Sequence, residues 1–302
     1  MNLFVTAHLS VWYALVGILM AYNFRLNFLL LAFLLCGCGA KKKDKSGLWR
    51  KIIRNGDQLY LQRADRGELD KAIQWYLSGV REFPNQSRMM GRLSRAYAAR
   101  AYGHADDGLD GYATARRFGL DCLMTDPSFG GLVQAQGGTI SRRAVETLDA
   151  SMVECMTWAS LAWSRWMEQR GVMGTSIDLP SVRALAVRAV EADPKYDNGR
   201  PYSALGLALA LPPKPLKPKL KKATEAFQLA MEMAPTRLTP KVDYAQYVVA
   251  VQGEQAQWAQ LLNEVINSPQ TEDDPDQMEN QRAIQRARAL LSAGLDKRWE
   301  ED

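Results

Sequence analysis

The sequence predicts an all-α protein, an irregular solenoid of paired helices preceded by a short apolar leader. Three observations predict it: one helix design recurs along the chain, a proline closes each copy, and no strand-like alternation interrupts the pattern. In the clearest copy, Lys71 to Pro84, small and large apolar residues stand at helical spacing until the proline stops the helix. Lys222 to Pro235 matches it in register, with Phe227 in the place of Tyr76 and Ala230 in the place of Gly79. Two weaker copies are Ala115 to Pro127, with Gly119 and Cys122 at the small positions, and Val182 to Pro194, with Ala186 and Ala189.

The chain has 302 residues and a formal charge of +5, and its first 24 residues carry no charge. An apolar run from Leu26 to Leu35 ends in Leu35-Cys36-Gly37-Cys38, the small-residue cleavage site of a bacterial lipoprotein signal. Lipid transfer needs a thiol, which Cys38 supplies, and peptidase access needs small side chains before it. Leu26 to Leu35 is too short to span a bilayer, which takes roughly 20 apolar residues. The expectation is a signal peptide over 1–37, with translation starting at Met20 so that Arg25 supplies the basic residue; the competing reading is an extra membrane span from Leu3 to Tyr22. Gly39, rather than aspartate, follows the cysteine and favours the outer membrane.

Residues 38–47 are small and charged and read as a lipidated, solvated tether. The folded domain is expected over 48–302. With Arg25 removed, 37 basic residues face 33 acidic ones, an excess too slight to argue for nucleic acid. Cys122 and Cys155 are the only cysteines in that domain, either paired in an oxidising compartment or buried as free thiols on helix faces.

Each repeat copy is followed by a second amphipathic helix: Ser87 to Tyr102, Leu148 to Gln169, Pro201 to Leu211 and Lys241 to Gln252. Small residues one turn from large ones let antiparallel helices approach closely, which is the logic of tetratricopeptide-type repeats. The closing prolines are 43, 67 and 41 residues apart, longer than the ideal of about 34, so the repeats are degenerate and carry insertions. Ser128 to Thr139 reads as a flexible glycine-rich loop, and Pro212 to Pro218 as an extended, polyproline-like bridge. A final amphipathic helix is expected from about Pro275 to Gly294, led by Glu272-Asp273-Asp274.

Little in this pattern carries chemistry. The glycines of 128–139 lack the lysine and hydroxyl residue of a phosphate loop and follow no strand. Asp106, Asp107 and Asp110, and Asp273, Asp274 and Asp276, lack calcium-loop spacing and read as solvated helix ends. His104 is the one histidine after Cys38, so no histidine metal site forms, and catalysis would need it as base with Cys122 or Cys155 as nucleophile. Its setting after a helix makes it a capping or surface residue. The expectation is a non-enzyme with no catalytic residue, no metal and no cofactor apart from lipid on Cys38. The aromatic residues Tyr97, Tyr102, Trp158, Trp163, Trp166, Tyr244 and Tyr247 fall on helices that should share an interior. Trp158 and Trp166, eight residues apart, are expected on one face with Trp163 to the side. They form either ordinary core or a ligand-accessible apolar channel.

An ordered set of motifs adds to this: Tyr112 to Leu123 with Arg116 and Arg117, Trp158-Ala159-Ser160-Leu161-Ala162-Trp163, Leu179 to Gly199, Val242 to Tyr247, and the arginine- and alanine-rich Asn280 to Leu291. From about Asp57 to Trp299 the chain resembles the T component of tripartite ATP-independent periplasmic (TRAP) transporters. Arg200-Pro201-Tyr202 departs from the alanine and histidine that the family pattern has after Gly199. The resemblance implies a lipoprotein on the periplasmic side of the envelope, built of degenerate tetratricopeptide-like helices. It implies association with the soluble substrate-binding P component, self-association, and passage of hydrophobic ligands through an internal channel. The alternative is a repeat-type scaffold lipoprotein in envelope assembly.

Overall fold

The computed structural model describes residues 45–104, 108–170, 172–211, 218–271 and 274–295. The leader, Cys38, the tether as far as Asp44, Asp106 and Asp107, residues 212–217 of the bridge, and Glu272 and Asp273 lie outside the described residues. The chain divides into two compact units, Met1–Leu48 and Trp49–Asp302, and the second holds the fold.

Every regular element described is helical. In order they are α1 (Lys45–Leu61), α2 (Arg66–Glu82), α3 (Ser87–Gly103), α4 (Gly108–Met124), α5 (Pro127–Ala135), α6 (Arg142–Val145), α7 (Val153–Arg170), α8 (Val172–Ala192), α9 (Arg200–Ala210) and α10 (Leu220–Met233). Then α11 (Thr239–Tyr244) runs through a π turn, Ala245–Val249, into α12 (Ala250–Gln252), and α13 (Gln255–Ile266) and α14 (Gln277–Ala293) follow. The paired helices expected from the repeat pattern are all present, with ends moved by a few residues. Among the described residues no helix is long and apolar enough to cross a membrane.

Local chemistry sets the boundaries. Asp65 caps α2 by accepting from the backbone amides of Gly67 at 2.7 Å and Glu68 at 3.3 Å. Asp126 caps α5 through the amide of Phe129 at 2.8 Å, and Pro127 takes the first-turn position where no amide is needed. This corrects the loop expected over 128–139: Phe129 and Val133, one turn apart, are buried, and the segment is helical as far as Ala135. Only its end is a turn, where Gly137 and Gly138 take positive φ angles of 64° and 88°. α1 also begins inside the stretch read as tether, at Lys45.

Neighbouring helices pack in sequence, α2 on α3, α3 on α4, α4 on α7, α7 on α8, α8 on α9 and α9 on α10. The residues matched between repeats serve alike: Tyr76 and Phe227 are fully buried, and Gly79 and Ala230 are the small partners. At Gly119 the approach of α4 to α7 is closest, since a Cβ there would lie 2.7 Å from the Cα of Ala159. Nearby, Cys122 of α4 and Cys155 of α7 are joined as a disulfide with Cα atoms 5.7 Å apart, which resolves the alternatives left by the sequence.

The order of packing breaks at the end. α14 meets α13 and α11 but also returns to α3, where Gly103 leaves room for Met278. A repeat array whose units touch only their neighbours would stay open; this one closes on itself.

The disulfide spans 33 residues, so chain entropy assigns it about 3–4 kcal/mol. Urea denaturation of oxidised chain, with and without reductant, should show a loss of that order on reduction.

Candidate functional site

Where α14 meets the earlier helices, five charged side chains, Arg63, Arg200, Arg237, Asp276 and Glu279, are buried together, with the half-buried Asp197 at their edge. Asp276, which precedes α14, accepts from Arg237 Nε at 2.8 Å and Arg200 Nη2 at 3.1 Å, and Arg63 Nη2 lies 3.5 Å away. Glu279 takes the Nε of Arg63 at 2.8 Å and its Nη2 at 3.1 Å. Arg63 also donates to the carbonyl of Pro275. Asp197 accepts from Arg200 Nε at 2.8 Å and Arg237 Nη2 at 3.1 Å. The cluster therefore joins the α1–α2 turn, the α8–α9 turn, the α10–α11 turn and the start of α14. Asn280, fully buried, joins the same ends by accepting from the amide of Leu238 and donating to the carbonyl of Thr236, both at 2.9 Å.

The α8–α9 turn is strained to fit. Asp197, Asn198 and Gly199 have φ angles of 44°, 49° and 81°, and only the glycine adopts such values freely. Arg237 Nη1 reaches the carbonyls of Asp197 at 2.9 Å and Asn198 at 3.4 Å, so surrounding bonds hold the turn in place.

A second buried group lies between α7, α11 and α14. Arg165 Nη2 is 2.6 Å from both oxygens of Asp243, and Arg286 Nη1 donates to the same carboxylate at 2.9 Å. The π turn carries Tyr247, which donates to Glu168 and accepts from Arg165 at 3.3 Å. Burial alone would raise the pKa of Asp243, but Arg165 and Arg286 outweigh it and hold the carboxyl below its ordinary range. Asp197 and Asp276 are likewise lowered, with burial opposed by Arg200 and Arg237.

Between the two groups is a cavity of about 60 Å³, room for one or two waters. Tyr102, Tyr112 and Trp158 face it beside Arg165, Arg200 and Asp243. Ser203 Oγ and Thr239 Oγ1, in two further lining residues, have no protein partner, so their natural partner is water.

Of the seven aromatic residues expected to share an interior, only Tyr102 and Trp158 line this cavity. Tyr247 sits one layer behind, on Glu168 and Arg165. Tyr97 stacks on Phe118 with centroids 5.5 Å apart, and Tyr244 packs on Phe227 at 6.2 Å. Trp163 and Trp166 flank the guanidinium of Arg116 at 4.2 and 4.3 Å, and Trp163 Nε1 donates to Asp178 at 3.0 Å. Of the three tryptophans of α7, Trp163 and Trp166 thus meet at Arg116, whereas Trp158, expected on one face with Trp166, looks into the cavity. His104 follows α3, its amide donating to the carbonyl of Arg100 at 2.8 Å.

The charged residues were the part not seen from the sequence. Asp276 was read as a solvated helix end, whereas it is buried against three arginines. Arg200, noted only as a departure, holds two of the carboxylates. A usable signal was present: charged residues standing at apolar repeat positions, as Arg165 does within Trp158 to Met167.

A wider open feature lies elsewhere, a groove of about 740 Å³ between α6, α8, α9 and α10. Its floor includes Ala184, Val187, Leu205, Leu209 and Leu229, and its rim carries Arg183, Arg188, Lys219 and Lys222 opposed by Glu146, Glu191 and Glu225. Val187 and Leu229 keep about two-fifths of their surface exposed, 40% and 39%. Arg183 donates to the carbonyls of Ala208 at 3.0 Å and Leu209 at 3.4 Å, completing the end of α9.

Replacing Asp243 with Asn removes the carboxylate that Arg165 and Arg286 share, leaving the buried Arg165 only the carboxylate of Glu168 at 3.1 Å, and should cost about 3–5 kcal/mol at neutral pH. Because the folded pKa values of Asp197, Asp243 and Asp276 are lowered, their stabilisation is complete above the unfolded value of about 3.9 and is lost as pH falls through the folded values. Urea denaturation of the wild-type chain should therefore give stability that falls steeply below about pH 4, with a smaller fall in Asp243→Asn.

A sequence model described as TRAP transporter T-component matches residues 109–296, well over half of the chain. A search of curated proteins finds no match. The matched region runs from α4 to the end of α14 and takes in the groove, the cavity lining apart from Ala98, Ala99 and Tyr102 of α3, and both charge groups except Arg63, so the chain belongs to the TRAP transporter T-component family.

Proposed function

We propose that the protein is a non-enzymatic adaptor, anchored by lipid on Cys38 at the periplasmic face of the envelope, that holds the solute-binding P component of a TRAP transporter. The family supplies the coarser statement, an accessory component of such a transporter. The observation that carries the finer one is the groove between α8, α9 and α10, because an apolar floor with a polar rim is the anatomy of a protein interface. Its exposed Val187 and Leu229 are candidate anchors for a partner's apolar side chains.

The adaptor reading is favoured over carriage of a hydrophobic ligand through the interior. The cavity reached by Tyr102 and Trp158 is small, about 60 Å³, and sets five charged side chains among its apolar ones, less room than an apolar ligand needs. Apolar room of ligand size, in the range of about 300–1,000 Å³, exists in the groove instead.

Copurification from solubilised membranes should recover a periplasmic solute-binding protein with the wild-type chain. Val187→Glu with Leu229→Glu should weaken that association about tenfold or more, while circular dichroism stays unchanged because both side chains are surface-exposed. Undiminished recovery with the double variant would remove the groove as the docking face.

A further inference from the structure

The positive charge of the chain is concentrated at one place. Residues 41–54 hold seven basic side chains, Lys41, Lys42, Lys43, Lys45, Arg50, Lys51 and Arg54, against the single Asp44. Beyond residue 54 there are 30 basic residues and 32 acidic ones, so the remainder of the domain is slightly negative. Such asymmetry is unexplained by the family match, which begins at residue 109. A block of one sign on an otherwise balanced chain marks a surface for a polyanion.

Among the described residues, this block falls on one face of α1. Arg50, Lys51 and Arg54 stand within about 100° of each other around the helix axis, and all three are exposed. The opposite face is committed to the core through Ile52 and Tyr60, which are buried. The single carboxylate of α1, Asp57, is already engaged: it accepts from Tyr76 Oη at 2.6 Å and from Arg92 Nε at 2.7 Å, with Arg95 at 3.4 Å. Its charge is therefore met by Arg92 and Arg95 rather than by Arg50, Lys51 or Arg54. Arg88, from the start of α3, lies 5.7 Å from the ring of Trp49 and adds a further exposed cation beside α1.

We propose that this face of α1 rests on a bilayer containing anionic phospholipid, a second contact with the membrane beside the acyl chains. In part this rests on the reading of Cys38 as the lipidated residue. Twelve residues separate Cys38 from Arg50, a reach of at most about 40 Å when fully extended, so an acylated Cys38 keeps α1 beside the lipid surface. Basic residues next to an acyl anchor bind anionic headgroups, each raising the partition about fivefold. The acyl chains retain the protein at the membrane, whereas the α1 contact sets which side of the domain faces the lipid and favours an anionic leaflet. An acidic protein or a nucleic acid would meet the same charge, but neither is brought to this end of the chain by its own attachment.

The test uses the mature chain from residue 38 with Cys38→Ser, which lacks only the acyl groups; position 38 lies outside the unit Trp49–Asp302 that holds the buried core. Its sedimentation is measured with vesicles of phosphatidylcholine alone and with vesicles containing phosphatidylglycerol. Binding should be confined to the phosphatidylglycerol vesicles and be largely lost in about 0.5 M NaCl, where charges are screened beyond a few ångströms. Arg50→Gln, Lys51→Gln and Arg54→Gln together should weaken it about 100-fold, with an unchanged circular dichroism spectrum. Equal sedimentation with both vesicles, absence of binding to either, or a triple variant that binds as the parent does would overturn the proposal. So would equal affinity for a single-stranded oligonucleotide, which would make the face a general polyanion site. Because the assay needs neither the acyl chain nor the transporter partner, its failure leaves the adaptor reading intact, and the converse holds.

Discussion

The structure depends on Asp276 being met by three arginines from three different turns. Arg63, Arg200 and Arg237 come from parts of the chain far apart in sequence, and each arrives at the base of α14. Removing this many charges from water is expensive, and attraction between them repays it only where geometry is good and donors are used. Here Arg237 spends its donors on two carboxylates and two carbonyls, and Asn280 satisfies the neighbouring backbone. What such a cluster supplies is uniqueness of arrangement: an apolar contact between α14 and α3 could slide, whereas these pairs fix one register. The strained turn at Asp197 and Asn198 follows from it, since their carbonyls are placed to meet Arg237.

The helices were legible because their signals are local. Small and large residues at helical spacing, proline stops and the matched pairs Tyr76 with Phe227 and Gly79 with Ala230 all report on a single helix and its nearest partner, and those parts of the fold agree with the structure. α5 was misread because Gly130 and Gly131 suggested flexibility, while the stronger signal, Asp126 before Pro127 with Phe129 and Val133 one turn apart, indicates a capped helix. The candidate site was less legible. Which aromatic residues meet depends on how α3, α4, α7 and α11 stack, and that is set by contacts between different helices, such as Tyr97 with Phe118 and Tyr247 with Arg165. The ion pairs are non-local in the same way: Arg63 and Glu279 are separated by 216 residues, and no window of sequence joins them.

The two buried charge groups and the disulfide divide the labour of holding the domain. The disulfide binds α4 to α7 beside the tight crossing at Gly119, in the interior of the array. Arg165, Asp243 and Arg286 join α7, α11 and α14, and the cluster at Asp276 joins the turns at one end. The groove between α8, α9 and α10 is left outside these ties, with its apolar floor uncovered.

Closure of α14 onto α3 also constrains how proteins of this kind can diverge. An open solenoid can gain or lose a repeat, because each unit needs only its neighbour. Here an added helix pair would carry Asp276 and Glu279 away from Arg63, leaving charges buried without partners. The number of helix pairs is therefore locked, and length is free to vary where closure is indifferent to it: in the connections between pairs and in the segments before α1 and after α14.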